Sequence, residues 1–365
     1  MGGSLCCDAP LCRKNKALTR AADLSQLKSQ DMKASMQAAV IAGQDLVIAD
    51  VERPEEPAPG HVIIKMTASA INNGDKFFLY RPPLPGATRS LYNIRGVSGA
   101  GRVIATGEGV PARYQDRQVT LYRQLHYSEY AVGTWSAYVQ VPYLDCAILP
   151  ENAAAEDYAG SLVNIITPYA FLRQAMQEGH KAVIITAGNA ATGRAMIGIC
   201  NALHFPYITL VRNAAGKAAL APLDAQHVLV QDDADFAAQF TSLAAAMQAT
   251  AVFEGVGGQL LNVLIPLLPY GTVVYSYGYL GDTEPLTVAM SMLALKFISI
   301  RPFSNFLTDT VKDPVQLGNA LEAISRIIGQ PHFKTRLGGR FTLEEIHGAL
   351  AFKGTNGEKA VLVYP

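Results

Sequence analysis

The run Ala182-Val183-Ile184-Ile185-Thr186-Ala187-Gly188-Asn189-Ala190-Ala191-Thr192-Gly193 decides how this chain of 365 residues is read. Its first residues are apolar or β-branched and make a short buried strand; Arg194 to Leu203 then has the composition of a helix. In a G-x-G-x-x-G scheme Gly188 makes the tight turn, Ala190 takes the middle place, and Gly193 lets the helix pack closely on the strand. Backbone N–H groups of Asn189, Ala190, Ala191 and Thr192 at the helix N-terminus would then receive a pyrophosphate. The methyl of Ala190 narrows that approach without forbidding it. A plain strand-to-helix turn is the competing reading of these glycines taken alone.

The surrounding pattern favours the dinucleotide reading. Tyr207 to Val211, His227 to Val230, Thr250 to Phe253 and Thr272 to Tyr277 are further short apolar runs, each followed by a helical segment or a turn, and such alternation implies a parallel sheet. The second strand chooses the cofactor. A carboxylate about 20 residues after the glycines would grip the ribose hydroxyls of NAD, but this strand ends Leu210-Val211-Arg212-Asn213. Arg212 is suited to clamp a 2′-phosphate in bidentate fashion and Lys217 to add a point charge, so NADPH is expected. The alternative is that both are ordinary surface cations.

Before this region, Gln37 to Ile41, Leu46 to Asp50, His61 to Ala70, Ala100 to Thr106 and Tyr138 to Val141 read as strands separated by turn clusters such as Arg53-Pro54-Glu55-Glu56-Pro57. After it come strands at Phe297 to Pro302, Lys334 to Phe341 and Lys359 to Tyr364, with helices at Gln316 to Ile328 and Leu343 to Phe352. The C-terminal tail is expected to rejoin the first domain.

Composition bounds the function classes. Thirty Lys plus Arg balance thirty Asp plus Glu, so there is no global field to hold nucleic acid or an anionic membrane. No apolar run reaches the roughly 20 residues of a membrane-spanning helix. Of five cysteines, Cys6, Cys7 and Cys12 crowd the start and only Cys146 and Cys200 lie in the body; so odd and sparse a set points to a reducing compartment, and the cytoplasm is expected. Residues 1–35 read as a disordered leader. It lacks the apolar core of a secretory signal, and its aspartates weigh against a mitochondrial presequence.

From Gln37 onward the chain resembles the medium-chain dehydrogenases/reductases. The matching pieces are Ala68-Ser69-Ala70-Ile71-Asn72-Asn73-Gly74-Asp75, Arg95-Gly96-Val97-Ser98-Gly99-Ala100-Gly101-Arg102-Val103, Gly133-Thr134-Trp135-Ser136-Ala137-Tyr138, Asn164-Ile165-Ile166-Thr167-Pro168-Tyr169-Ala170, the glycine loop, Phe253-Glu254-Gly255-Val256-Gly257-Gly258 and Gly357-Glu358-Lys359-Ala360-Val361-Leu362, in the family's order. The resemblance implies an α/β fold: a GroES-like β-rich catalytic domain from residues 36–158 and 300–365, with a doubly wound Rossmann nucleotide-binding domain, 159–299, inserted. It also implies a homodimer through edge pairing of nucleotide-domain sheets.

Where the zinc-dependent branch has a Cys, this chain has Asn72; where that branch has Gly-His-Glu, it has Gly96-Val97-Ser98. Neither Val97 nor Ser98 is a usual Zn²⁺ ligand, so no catalytic metal is expected. The metal-free branch is similar to quinone oxidoreductases and mitochondrial-type trans-2-enoyl thioester reductases, which implies hydride transfer to a small electron-poor acceptor: an enone, a quinone or an enoyl thioester. In that reading Tyr80 is the candidate proton donor or oxyanion holder, and Asn72 faces nicotinamide and substrate unless it merely opens an Asn-Gly turn. Asn164 and Thr167 reach the cofactor, or Thr167 caps a helix beginning near Pro168. Tyr277 and Gly278, at a strand end, contact the nicotinamide. His126 is either a proton relay or loop surface. A nucleotide-binding regulatory or structural protein of the same fold, without turnover, is the alternative.

Overall fold

A computed structural model describes residues 34–81, 88–281, 284–355 and 357–365. The leader expected over residues 1–35, with Cys6, Cys7 and Cys12, lies outside the described residues except for its last two. So does the segment 82–87 that follows Tyr80. Among the described residues, no helix is long and apolar enough to cross a membrane.

The chain opens with the hairpin β1 (Ser35–Ala42) and β2 (Asp45–Glu52), then β3 (His61–Ala70), α1 (Asn73–Phe78), β4 (Ser98–Thr106), β5 (Gln118–Tyr122), β6 (Tyr138–Pro142) and β7 (Cys146–Ile148). A run of alternating helices and strands follows: α2 (Ser161–Gln177), β8 (Ala182–Ile185), α3 (Ala191–Leu203), β9 (Tyr207–Val211), α4 (Ala214–Leu220), β10 (Val228–Val230), α5 (Phe236–Ala246), β11 (Ala249–Glu254), α6 (Gly258–Leu264), β12 (Val273–Ser276), α7 (Met290–Lys296) and β13 (Ser299–Pro302). It closes with α8 (Asp309–Lys312), α9 (Pro314–Ile327), β14 (Leu337–Phe341), α10 (Ile346–Ala351) and β15 (Lys359–Val363).

Six strands pair in the order β10-β9-β8-β11-β12-β13, every pair parallel. Every residue of β8 and β9 is buried, because helices cover both faces of the sheet; hence the strands are apolar runs and do not alternate. Phe171 of α2 and Met196 of α3 fill one side, Phe240 of α5 and Leu261 of α6 the other. Numbered by appearance within the sheet, the order is 3-2-1-4-5-6, and the loops after β8 and β11 part in opposite directions. A crevice opens at that switch point, beyond the C-terminal ends of the strands.

The second sheet has the order β14-β15-β3-β4-β5-β7, with β6 also on β3. Its central partnership joins the two ends of the chain: β15 runs antiparallel to β3, with Val361 opposite Ala70 and Val363 opposite Ala68. The expected return of the tail to the first domain is thus a backbone ladder, with Val361 and Leu362 fully buried.

Several boundaries differ from those read in the sequence. The parallel sheet continues through β13 to Pro302, past the domain limit expected at 299, because Ser276 and Pro302 still pair. Strands β5 and β7 were not legible: they have only five and three residues, too few to show a pattern. Helix α2 begins at Ser161, so Pro168 is interior and Thr167 does not cap the helix. The helix tolerates Pro168 with its fold intact, though the carbonyl of Asn164 loses the N–H that would normally reach it.

At the far end of α2, Glu178 gathers two neighbours. The Tyr275 hydroxyl donates to Glu178 Oε2 at 2.5 Å, and Arg301 of β13 donates to both Glu178 and Tyr275. These bonds tie the edge strand β13 to the body of the parallel sheet. Burial, reinforced by the hydrogen bond to Glu178, pushes the Tyr275 phenol up.

Leu362→Ala tests the ladder that joins the chain ends. The substitution is expected to lower unfolding stability by about 2–5 kcal/mol, the usual cost of emptying a buried leucine site, read as a shift in urea midpoint. A shift under about 1 kcal/mol would show that β15 is not part of the cooperative core.

Candidate active site

The crevice holds a cavity of about 1370 Å³ lined by the glycine loop, the end of β9, Val256 and Gly257 after β11, and Arg336, Leu337 and Glu358 from the second sheet. At Gly188 an added Cβ would lie 2.2 Å from Thr209 Cγ2, and at Gly193 2.0 Å from the Ala187 carbonyl oxygen. Both positions therefore require glycine. Ala190 is the residue before α3, in extended conformation; its N–H donates to the Ala187 carbonyl and it lines the cavity. The unpaired N–H groups and dipole of the first turn of the 13-residue helix α3 favour an anion there.

Arg212 and Asn213 line the same cavity, whereas exposed Lys217 does not. Asn213 Oδ1 accepts the Gly216 N–H and so caps α4. The strand itself ends in Arg212 and Asn213 with no carboxylate of its own, while Asp232, past the end of the neighbouring β10, bonds its N–H to the Arg212 carbonyl at 3.2 Å. Across the cavity Arg336 donates to Asn189 Oδ1 at 3.0 Å, so a cation from the second sheet reaches the glycine loop. Sequence reasoning missed Arg336; it lies in none of the motifs, and 147 residues separate it from its partner.

The floor of the crevice is set by Glu254 at the end of β11. Its Oε1 accepts the N–H groups of Val256 and Gly257, and the Thr186 hydroxyl stands beside the carboxylate. Burial pushes its carboxyl up despite those bonds. Tyr277 stacks on Phe253 with ring centroids 3.9 Å apart, its hydroxyl buried with no hydrogen-bond partner among the described residues, and Gly278 sits against the backbone of Gly255. Neither lines the cavity itself.

A second cluster forms where three strand ends meet. Extending the β3–β15 register two residues outward sets Lys359 opposite Asn72, and β4 begins beside them at Ser98. Asn72 Nδ2 donates to Ser98 Oγ at 2.8 Å and to Asp75 Oδ2 at 3.0 Å, the Asn72 N–H donates to Asp75, and Lys359 Nζ donates to Asn72 Oδ1 at 2.5 Å. Asn72, Asp75 and Ser98 are all buried. Burial pushes the Asp75 carboxyl up, opposed by its Asn72 hydrogen bonds and by Lys359 and Arg123. Burial also pulls the Lys359 ammonium down to about 8, with the Asp75 carboxylate acting against that fall. Arg123, held by the carbonyls of Gly96 and Thr88, is lowered by burial to about 10.

Helix α2 connects the two clusters. Thr192 of the glycine loop donates to Asn164 Oδ1 at 3.1 Å, and Asn164 Nδ2 donates to the Gly160 carbonyl at 2.5 Å. A Cβ on Gly160 would stand 3.2 Å from Lys359 Cδ. Thr167 instead turns to Asn305, donating to Oδ1 at 3.5 Å, while Asn305 Nδ2 is buried without a partner. Tyr80 lies outside this network: 58% exposed, it makes no hydrogen bond to the described residues. His126 is half-buried, with its backbone N–H bound to Asp145; burial, aided by His61, pulls its imidazole down.

No family model matches the chain. Among curated proteins it is similar to the human synaptic vesicle membrane protein VAT-1 homolog, 33% identical over 159 residues, 41% of this chain and 36% of that one. The match to the human and rat proteins thus spans about a third of their length. The mouse protein of that name is 26% identical over 81% of this chain and 74% of its own, and the mitochondrial enoyl-[acyl-carrier-protein] reductase of Caenorhabditis elegans 26% identical over 64% and 66%. Among solved structures, an alcohol dehydrogenase superfamily protein from Novosphingobium aromaticivorans matches 90% of this chain and all of its own with TM-score 0.70 and 20% identity. A mycobacterial quinone oxidoreductase does so with TM-score 0.66 and 21% identity over the same shares. These likenesses establish the fold: a GroES-like β-rich domain with a doubly wound Rossmann domain.

Gly193→Ala is expected to force the Ala187 carbonyl aside and cost about 1–3 kcal/mol, the range for overpacking, whereas Ala190→Gly, which adds no atoms, should change stability by about 1 kcal/mol at most. Urea midpoints compare the two; equal effects would contradict the tight contact at Gly193.

Proposed function

We propose that this chain, which resembles the medium-chain dehydrogenases/reductases in its motifs and has their fold, is a zinc-independent NADPH-dependent reductase of an electron-poor C=C bond or a quinone. The observation that carries the reading is the cradle at the sheet switch point, where two glycines have no room for a Cβ and the next strand ends in Arg212 where an NAD site would carry an acidic residue. The site fits a dinucleotide phosphate: free helical N–H groups, Arg336 beside Asn189, and Arg212 further along the same cavity. The names of quinone oxidoreductases and an enoyl reductase among the similar proteins, and a mycobacterial neighbour complexed with NADPH at TM-score 0.64, support the same choice.

In this reading residues 188–193 bind the pyrophosphate and Arg212 the 2′-phosphate, with Lys217 adding field from outside the cavity. Asn164, Thr167, Tyr277 and Gly278 shape the nicotinamide end. The bound cofactor supplies a hydride. The protein orients the acceptor, keeps water away and stabilises the oxygen on which charge develops. Asn72 is a positioning group there, and Tyr80 one candidate for the proton that completes the reduction. Because Asn72 and Ser98 bond to each other, the positions that hold metal in the zinc branch are already satisfied, and alcohol–ketone exchange by a Lewis acid has no ligands to rest on.

The free thiols of Cys146 and Cys200 are buried, and we place the protein in the reducing cytoplasm. We assign it a homodimer through β13. That strand is the edge of the parallel sheet, its four residues are exposed, and Met290, Leu295 and Phe297 stand exposed nearby. An unpaired edge beside apolar side chains is a natural two-fold contact.

Purified protein mixed with NADPH and, in turn, 1,4-naphthoquinone, an α,β-unsaturated ketone and crotonyl-CoA is expected to oxidise the nucleotide on at least one, read at the absorbance of reduced nicotinamide. Tight NADPH binding without oxidation on any would favour a nucleotide-binding regulatory protein instead. Arg212→Ala should weaken NADPH by about 1.5–3 kcal/mol, the range for a hydrogen bond to a charged group, with little change for NADH; equal loss for both would reject the 2′-phosphate role. Ile300→Lys on β13 should convert a dimer to a monomer in sedimentation analysis, and an unaltered dimer would move the interface elsewhere.

A further inference from the structure

Lys359 belongs to the last strand, yet its ammonium ends in the cluster that occupies the metal position of the zinc branch. We propose that Lys359 is the electrophilic residue of this site, holding the acceptor's carbonyl oxygen and delivering the proton that completes its reduction. The inference rests on the reductase reading above.

Three observations on the page carry it. The position is fixed by backbone pairing: β15 and β3 are in register, Ile71 N–H donates to the Ala360 carbonyl at 2.9 Å, and Lys359 therefore cannot drift from Asn72. The donor capacity is open, since an ammonium has three N–H groups and among the described residues only Asn72 Oδ1 takes one. The position is also tied to the cofactor loop by contacts, since the Lys359 stem packs beside Gly160, whose carbonyl holds Asn164 and through it Thr192, and the preceding residue, Glu358, lines the cavity.

The groups around the ammonium suit the task. Asp75 from α1 is the one carboxylate that acts on it, with Arg123 behind Asp75; Asn72 and Ser98 are neutral. Burial lowers Lys359 toward neutrality, which makes it a better proton donor than an exposed lysine and still leaves it mostly charged at pH 7. Tyr80, exposed and with no hydrogen bond to the described residues, has no comparable preorganisation.

The chemistry balances. When the β-carbon of the acceptor gains hydride, the C=C electron pair shifts and the carbonyl oxygen becomes an enolate that accepts a Lys359 N–H. A proton then leaves Nζ for the α-carbon, the C–H bond forms as the N–H bond breaks, and neutral Lys359 recovers its proton from water. For a quinone the same proton goes to oxygen. No metal and no further reductant is needed.

Two measurements test the proposal. In the ligand-free protein, competitive labelling by trace acetic anhydride, followed by mass spectrometry, should give Lys359 a midpoint near 8 where an ordinary lysine has 10.5; an ordinary midpoint would overturn it. In turnover, Lys359→Met should lower kcat about 100-fold or more, the scale for removing an oxyanion donor, while NADPH affinity by fluorescence changes less than about threefold. Lys359→Arg, which keeps a cation opposite Asp75, should fold even where the Met variant fails, and should lose the alkaline fall in kcat that wild type displays as Lys359 deprotonates. Unchanged kcat in Lys359→Met or an unchanged alkaline limb in Lys359→Arg would reject Lys359 with the reductase reading intact. A wild type that binds NADPH and reduces no acceptor would sink both.

Discussion

The antiparallel pairing of β15 with β3 is the constraint on which the site depends. It sets Lys359 opposite Asn72, it places Arg336, just before β14, on the rim of the crevice, and it makes one sheet from segments nearly 300 residues apart. Without that ladder the nucleotide domain would retain its glycine loop and its Arg212 while the other wall of the crevice disappeared. On the proposed function, binding and chemistry fall on different parts of the structure, linked through the short path from Thr192 by way of Asn164 to Gly160.

The cluster around Asn72 also explains how a buried charge is tolerated. Placing Lys359, Asp75 and Arg123 away from water would cost several kcal/mol for each ion if it stood alone. Here cations and carboxylates alternate, and neutral Asn72 joins Lys359, Asp75 and Ser98 through its own donors and acceptor. The opposed shifts of Asp75 upward and Lys359 downward are what partial desolvation of such a set produces.

How much of this was legible in the sequence depends on range. The parallel sheet was readable because β8 and β9 are continuous apolar runs and the glycines at 188 and 193 have steric reasons to be there; Tyr207–Val211 and His61–Ala70 were located to the residue. The start of α2 was not, since Pro168 looks like a helix beginning and only packing of Ile165 and Ile166 in the core reveals the earlier turn. Within the site, Arg212 could be read from its place at a strand end. The places of Arg336 and Lys359 could not, because their contacts span 147 and 287 residues that no local pattern encodes.

Because the strand that carries Lys359 is made late, a nascent chain on the ribosome can complete its parallel sheet, and with it the nucleotide cradle, well before the polar cluster exists. On the proposed function, the half-built protein would during synthesis be a coenzyme-holding module with one wall missing. Docking of residues 359–363 then installs the ammonium and seals the apolar edge of β3 in one event, so that the polar cluster arrives together with completion of the second core.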